Sequence, residues 1–368
     1  MALQQIVVPL DGSQLAERAL PYASALARLG GGRLILVRAA MAHIFPGQDV
    51  EAAQIAVTER AETELTDVTN RLRADRLDVE PHLCYDDAAS AILGVTDRVK
   101  ADLIVMSTHG RSGLGRWIYG SVADEVLRHA QVPVLLVPSV CERTWPEGRP
   151  LRILVPLDGS ELAESALIPA RDLAQQVGAE IVLLRIVEPI VAGYPETYPF
   201  DIEPDLNTVE SYVTNLASEL RQAGLSVTAV ADFGYPVSRI VATATEKQAD
   251  LIVMATHGHG GIARLVLGSV ATGVAQRAHT PLFLSRPSAV HSTIASAPGA
   301  VAAASSSPES LVVVALSAAE LELVRRGLSE LAYRPESDDQ SVAAARRLME
   351  QLRGKQVTKA SGPASPSA

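Results

Sequence analysis

Short apolar runs alternate with longer amphipathic segments through most of the chain. Five runs in the first half are short, rich in branched apolar residues and bounded by Gly, Asp or Pro, which is typical of buried β-strands; they read IVVPL, RLILVRA, DVEPHLCY, ADLIVMS and VPVLLVP. The predicted helices between them cover residues 13–29, 50–74, 88–100 and 121–130. Nearly continuous apolar strands separated by helices indicate an α/β fold whose doubly wound parallel sheet is covered on both faces.

This pattern of apolar runs and predicted helices occurs twice in the chain. The run IVVPLDGS at Ile6 returns as ILVPLDGS at Ile153, 147 positions later, and ADLIVMSTHG at Ala101 returns as ADLIVMATHG at Ala249, 148 positions later. A repeat of this length is a duplicated domain rather than one unit of a solenoid. We therefore predict two tandem five-stranded parallel-sheet domains, each with the strand order 3-2-1-4-5.

Composition changes after the second repeat. The predicted domains occupy residues 1–139 and 151–287, and residues 288–310 are rich in Ala, Ser and Pro, as in a flexible linker. Residues 311–368 have no counterpart in the repeats. We predict a partly helical C-terminal extension with a disordered end, and we assign it no role.

Charge and cysteine content narrow the function classes. The 368-residue chain has a formal net charge of −10, which argues against a nucleic-acid-binding surface, because phosphate backbones attract clustered Lys and Arg. No apolar run reaches the roughly 18 to 20 residues that span a bilayer, and the N-terminus lacks the features of a signal peptide. Cys84 and Cys141 have no metal-ligand or CxxC spacing. We expect a cytoplasmic protein with no nucleic-acid or membrane partner.

Polar and glycine-rich residues mark the ends of the first and fourth strands in each repeat. PLDGS contributes Pro9 and Asp11, then Pro156 and Asp158. The glycine loops are STHGRSGLGRWIYGS at residues 107–121 and ATHGHGGIARLVLGS at residues 255–269. Because strands 1 and 4 flank the reversal in the order 3-2-1-4-5, the marked ends face each other across one crevice, where ligands bind in open α/β sheets.

Each glycine loop ends where a helix is predicted to begin, at Gly120-Ser121 and Gly268-Ser269. Free backbone N–H groups and the positive end of the helix dipole make such a terminus an anion site, commonly for phosphate. Ser121 also has the spacing to cap its helix, with Asp124 completing an S-x-x-D box. We predict that the start of this helix binds an anion and that its serine also caps the helix.

Other polar residues admit two interpretations. Asp11 and Asp158 suit either a turn or N-cap, or a hydrogen bond to a ribose hydroxyl or base edge. Two further pairs recur in the loops, His109 with His257 and Arg116 with Arg264. The histidines are interpreted as lining residues, because no Ser or Cys partner for a catalytic triad is evident. The arginines suit either a phosphate contact or a solvated charge.

The two loops differ in charge. The first has Arg111 where the second has His259, and only the first is followed by acidic residues, Asp124 and Glu125. A Mg²⁺ ion that accompanies phosphates needs oxygen ligands. We therefore expect the first site to bind a phosphate-bearing ligand more tightly and with the greater Mg²⁺ dependence.

Several nucleotide and metal motifs are missing from the sequence. It has no GxxxxGK[ST], no GxGxxG after a strand and no HExxH. It therefore supports neither P-loop nor Rossmann dinucleotide chemistry, and it predicts no protein-bound metal site.

Each repeat resembles a universal stress protein domain, whose nucleotide-binding members carry G-x2-G-x9-G-[ST] after the fourth strand. Gly110, nine residues and Gly120-Ser121 match the latter part of this motif, and so do Gly258, nine residues and Gly268-Ser269. The resemblance covers both repeats. Ser107 and Ala255 stand where the motif has its first glycine.

The resemblance implies an ATP or AMP site in each repeat. Asp11 and Asp158 would contact the adenosine part, and backbone at Ala39 and Ile186 would meet the adenine. The phosphates would be held by Gly110, Gly120 and Ser121 and by Gly258, Gly268 and Ser269. The remaining lining residues would be Pro9, Ser107, His109, Arg111, Arg116, Pro156, Ala255, His257 and Arg264.

The family also implies pairing of two domains through the fifth strand. Residues 134–137 and 282–285 would pair within the chain and hide two apolar sheet edges; a homodimer is compatible with this. Two rival functions stay open. One is an ATP hydrolase or nucleotidyl transferase, although no carboxylate pair with an in-line base is evident. The other is a dimerisation module with empty clefts. We predict no catalytic residues.

Overall fold

The computed structural model describes residues 3–42, 49–108, 120–141, 144–146, 148–188, 206–256 and 267–285. The predicted linker and C-terminal extension lie outside the described residues. So do seven of the predicted loop residues: His109, Gly110, Arg111, Arg116, His257, Gly258 and Arg264.

The first half contains five strands in the described part of the chain, and their positions agree with the predicted runs. The strands are β1 Gln5–Leu10, β2 Arg33–Ala39, β3 Asp78–Cys84, β4 Leu103–Ser107 and β5 Val134–Val137. The helices described between them are α1 Gln14–Glu17, α2 Leu20–Gly30, α3 Val50–Ala74, α4 Ala88–Val99 and α5 Ser121–His129. The predicted helix at residues 13–29 is divided into α1 and α2. Pro21 lies in the first turn of α2, where a missing N–H is tolerated, so the chain starts a new helix there.

The second half repeats this order. Its strands are β6 Arg152–Leu157, β7 Glu180–Val187, β8 Ser226–Phe233, β9 Leu251–Ala255 and β10 Leu282–Ser285. Its described helices are α6 Glu161–Glu164, α7 Leu167–Val177, α8 Leu206–Gln222, α9 Pro236–Glu246 and α10 Ser269–Arg277.

All ten strands form one sheet, in the order β3-β2-β1-β4-β5-β10-β9-β6-β7-β8. Within each half the strands are parallel and follow the predicted order 3-2-1-4-5. The halves join where β5 and β10 pair antiparallel, with Phe283 opposite Leu135. Phe283 is only 1% exposed. The fifth strands therefore cover each other's edges within one chain, as the resemblance implied.

The connection between the halves is anchored to both of them. The ring of Trp145 packs edge-on against Tyr22 of α2, with the ring centroids 5.6 Å apart. Arg149 makes a bidentate ion pair with the buried Asp250, at 2.8 Å for each hydrogen bond. The connection is thus held by a packed aromatic pair and by a planar guanidinium–carboxylate pair.

Apolar side chains from both faces of the sheet are buried under helices. One core lies against α2, α3, α7 and α8, and includes Ile6, Leu36 and Phe283. The other lies against α4, α5, α9 and α10, and includes Val7 and Ile35. Successive strand residues such as Ile6 and Val7 belong to opposite cores, as expected for a sheet covered on both sides. No described helix is long and apolar enough to cross a membrane.

Candidate functional site

The first and fourth strands of each half diverge at their carboxyl ends. β1 pairs with β4 only through Ile6 and Val7, and β6 pairs with β9 only through Ile153 and Leu154. A proline follows soon after each pair, at Pro9 and at Pro156. Proline has no N–H for the ladder, so the central strands cannot continue regular pairing on that side. A crevice opens at this point, where the strand order reverses.

In the second half this crevice is a cavity of about 380 Å³. It brings together six predicted residues, namely Pro156, Asp158, Ile186, Ala255, Gly268 and Ser269. Ten further residues line it: Leu157, Ala163, Arg185, Glu188, Pro236, Ile240, Met254, Thr256, Val270 and Ala271. The ends of β6, β7 and β9 and the starts of α9 and α10 therefore converge on one space, as the predicted strand order requires.

The N-cap residue before each of the helices that follow the glycine loops is a glycine. Gly120 and Gly268 are the N-caps of α5 and α10, and neither has a side chain with which to cap its helix. The prediction that Ser121 caps α5 with Asp124 is therefore wrong. Ser121 is the first helical residue, and the carboxylate of Asp124 is instead bonded to Arg128 one turn later, at 2.9 and 3.3 Å.

This local structure favours an anion site. A helix whose N-terminal N–H groups lack a side-chain acceptor takes acceptors from water or from a ligand. The helix dipole adds partial positive charge at the same end. In the second half Gly268 N–H donates to Thr256 O at 2.8 Å, which holds the start of α10 against the end of β9.

The two capping glycines differ in backbone conformation. Gly120 has φ +80° and ψ 146°, a region nearly closed to other residues, whereas Gly268 has φ −57° and ψ 151°, which any residue adopts. A Cβ at position 120 would lie 3.4 Å from Thr108 O. Glycine is thus required by the backbone at Gly120 but not at Gly268.

Asp11 and Asp158 both form turns. Oδ1 of each accepts a hydrogen bond at 2.9 Å from the N–H two residues on, that of Ser13 or Ser160. Each serine in turn caps its short helix, accepting from Ala16 or Ala163 at 3.1 Å. The turn interpretation of both aspartates is therefore observed, and their contact with adenosine stays a prediction.

A partly buried cluster of charged groups lies beneath the Asp11 turn, and sequence reasoning missed it. Gly12 has φ +78°, and a Cβ there would lie 2.1 Å from Oε2 of Glu64. Glu64 accepts hydrogen bonds from Arg38 at 2.9 Å and from Arg60 at 2.8 Å. This ion-paired carboxylate packs directly against the turn, beside a second cavity of about 220 Å³.

The second half has a phenol, Tyr212, at the position equivalent to Glu64. Tyr212 lies 148 positions after Glu64, and its hydroxyl donates to Glu164 at 2.6 Å. Burial and then this hydrogen bond raise the pKa of Tyr212, so it stays protonated. Arg185, the counterpart of Arg38, donates to Ile186 O at 3.1 Å and so holds the end of β7. Aligning the two repeats residue by residue could have shown that Tyr212 stands in the second repeat where Glu64 stands in the first.

Three other predicted residues within the described part of the chain also lie at this edge of the sheet. Pro9 is paired with Val37 of β2 and Ala39 with Cys84 of β3, so both are near the carboxyl ends of their strands. Ser107 is the last residue of β4 and is buried. No group of three His, Cys, Asp or Glu side chains in the described ranges could hold a metal ion.

Comparison with known proteins agrees with this architecture. The family model described as "Universal stress protein family" matches residues 2–138 and 151–286. A universal stress protein of Mycobacterium tuberculosis is 28% identical over 220 residues, covering 58% of this chain and 72% of that protein. One from Mycolicibacterium smegmatis is 26% identical over 291 residues, covering 77% and 97%. Among solved structures, a universal stress protein from Archaeoglobus fulgidus is similar in fold, with a TM-score of 0.61 at 21% identity, covering 78% of this chain and 99% of that one.

Proposed function

Because the chain belongs to the universal stress protein family, we propose that each half binds an adenine nucleotide, ATP or AMP, in the crevice between its first and fourth strands. The protein would act in the cytoplasm, in stress response or signalling, through the bound nucleotide. The observation that carries this proposal is the cavity of the second half. There the start of α10 with its glycine N-cap, the Asp158 turn and the end of β7 line one space.

The size and chemistry of that cavity support a nucleotide. A volume of about 380 Å³ is within the usual range of roughly 300 to 1,000 Å³ for small-molecule sites. Gly268 and Ser269 supply an anion site at one end, and Ile186, Ile240 and Met254 supply apolar surface for a base. The turn aspartate would accept a hydrogen bond from a ribose hydroxyl between these two ends.

The expectation that the first site binds ATP more tightly and with a greater Mg²⁺ dependence rests on fewer acidic side chains in the structure than in the sequence. Asp124 is paired with Arg128, so a cation there would have to compete with a guanidinium. Glu125 is exposed and next to it, which leaves one acidic side chain at the start of α5 for a Mg²⁺-bound nucleotide. We retain a stronger Mg²⁺ response at the first site as a proposal.

Titration of matched glycine variants tests the proposal. Gly268→Val adds a branched side chain where phosphate would meet the backbone, at a φ that permits valine, so we expect a folded protein that binds one equivalent of AMP or ATP instead of two. Gly120→Val should also lose one site, at an added cost in stability. Mass spectrometry of the denatured wild type would show whether adenine nucleotide co-purifies. If Gly268→Val binds with unchanged stoichiometry and affinity, the phosphate assignment is wrong.

The same titrations decide between the rival functions. Release of ADP from ATP at a rate that falls in either glycine variant would favour the hydrolase. A wild type that binds neither ATP nor AMP would favour the dimerisation module. Each glycine variant keeps one cleft, so titrating it with and without Mg²⁺ measures the affinity and the Mg²⁺ dependence of that cleft alone.

A further inference from the structure

The two clefts differ in the side chain that follows the second strand of each half. Arg38 and Arg185 occupy equivalent register positions, paired with the last residue of the first strand in each half. Counting on from them places Met41 in the first half where the second half has Glu188. Both side chains are exposed, and Glu188 lines the cavity of the second half.

Glu188 lies at the end of the cleft far from the anion site. The strand order β9-β6-β7 puts the end of β7 two strands away from β9, which is about 10 Å at the usual spacing of strands. The start of α10 is held against the end of β9 through Gly268. A phosphate at α10 therefore leaves Glu188 beside the base rather than beside another negative charge.

The described residues around Glu188 leave its carboxylate available to a ligand. Arg185 donates to Ile186 O, and Arg239 of α9 is paired with Asp232. Within the described ranges no ion pair or hydrogen bond involves Glu188. The remaining wall at this end is apolar, formed by Ile186, Pro236 and Ile240.

Resting on the proposed function, we propose that Glu188 makes the second cleft selective for a base with an exocyclic amino group, and that the first cleft lacks this selectivity. An ionised carboxylate only accepts hydrogen bonds. The amino group at position 6 of adenine donates one, whereas a 6-oxo purine presents an acceptor there. A site built around an acceptor disfavours ligands that leave it unpaired. Met41 offers a thioether, a weak acceptor that distinguishes poorly between these bases.

The test compares three ligands by calorimetric titration of the full chain: AMP, the monophosphate of purine riboside, which lacks the amino group, and inosine monophosphate. In the wild type we expect one of the two sites to lose about fivefold to tenfold in affinity when the amino group is absent. This magnitude corresponds to one hydrogen bond to a charged, partly solvated acceptor. The other site should bind AMP and the purine riboside monophosphate about equally.

Exchange of the two side chains supplies the controls. Glu188→Met should bind two equivalents of AMP and lose the discrimination, and Met41→Glu should discriminate at both sites. Glu188→Gln should discriminate less against inosine monophosphate, because an amide can also donate to a 6-oxo group.

Two results would overturn the inference, and they have different consequences for the proposed function. AMP binding to Glu188→Met with the discrimination retained removes the role of Glu188 and leaves the proposed function intact. Absence of AMP binding to the wild type removes the proposed function, and this inference with it.

Discussion

At the scale of single residues, the Asp11 turn depends on a glycine and on a partly buried ion pair. Gly12 is favoured because its φ is +78°, and a Cβ there would also displace the Glu64 carboxylate from its ion pairs. Arg38, with a side chain only 10% exposed, donates to that carboxylate. The charge on Glu64 therefore stabilises the turn through the guanidinium groups that surround it.

Replacing Glu64 with Gln should lower the free energy of unfolding near neutral pH by about 1 kcal/mol, since the ion pair is partly exposed to water. Burial by itself raises the pKa of Glu64, but the hydrogen bond from Arg60 and the charge of Arg38 outweigh it and leave this pKa lowered. A carboxyl group whose pKa is lower in the folded chain stabilises the fold above its unfolded pKa. That stabilisation is lost as the pH falls through the folded pKa.

Urea unfolding between about pH 7 and about pH 3 measures this effect. The difference between the wild type and Glu64→Gln should shrink toward zero in acid, because both side chains are then uncharged. Glu62→Gln, an exposed neighbour on α3, serves as the control. A difference for Glu64→Gln that is constant over this range would contradict the argument.

At the scale of elements, α10, whose N-terminus forms the proposed second anion site, packs closely against α9. A Cβ at Gly273 of α10 would lie 2.6 Å from Cγ2 of Val237 on α9. The counterparts 148 positions earlier are Glu125 and Ala89, so a larger residue on one helix accompanies a smaller one on the other. The glycine in α10 therefore has a packing reason that outweighs its poor helix propensity.

Gly273→Ala should destabilise the protein by about 1 to 3 kcal/mol through overpacking, although alanine favours helix by about 1 kcal/mol over glycine. Combining Gly273→Ala with Val237→Ala removes the clash and should recover most of the loss. Urea unfolding of the two single variants and the double variant measures the coupling between the positions. If the effects of Gly273→Ala and Val237→Ala on the free energy of unfolding are additive, the contact between these two positions imposes no steric limit.

At the scale of the whole molecule, ten strands share one sheet, and the seam between the halves is buried. Phe283 of β10 lies opposite Leu135 of β5, and the two side chains are 1% and 0% exposed. The anchored connection adds the ion pair between the exposed Arg149 and the buried Asp250, near the start of β9. Unfolding one half would expose the apolar edge of the other, so the halves should unfold together.

Phe283→Ala should therefore destabilise both halves, by about 3 to 5 kcal/mol. Hydrogen exchange read by mass spectrometry follows peptides from β1 and from β6 separately, and the protection of both should fall by the same amount. Leu162→Ala, at a partly exposed position of α6, should change neither. A loss of protection confined to the second half would show that the halves unfold independently.

Much of the fold could be predicted from the sequence because its signals are local. The apolar runs at Ile6 and Ile153 reveal strands through their length and composition, and their repetition reveals the duplication. The strand order then places Asp158 and Gly268 at one crevice before any coordinates are known, and the family resemblance adds Ile186. The split between α1 and α2 was also readable, because Pro21 marks a helix start.

Other features depend on atoms that are distant in sequence, and only the tertiary structure could decide them. Whether Ser121 or Gly120 caps α5 depends on backbone torsion angles that the packed loop imposes. The Arg38–Glu64 pair joins a strand to a helix, and Glu188 lines the cleft through the alignment of three strands. Sequence pattern alone determined that two crevices exist and which strands form them, since hydrophobic periodicity is a property of neighbouring residues. The partners of buried charges and the side chains that face a ligand were decided by packing, which brings together positions that the sequence keeps apart.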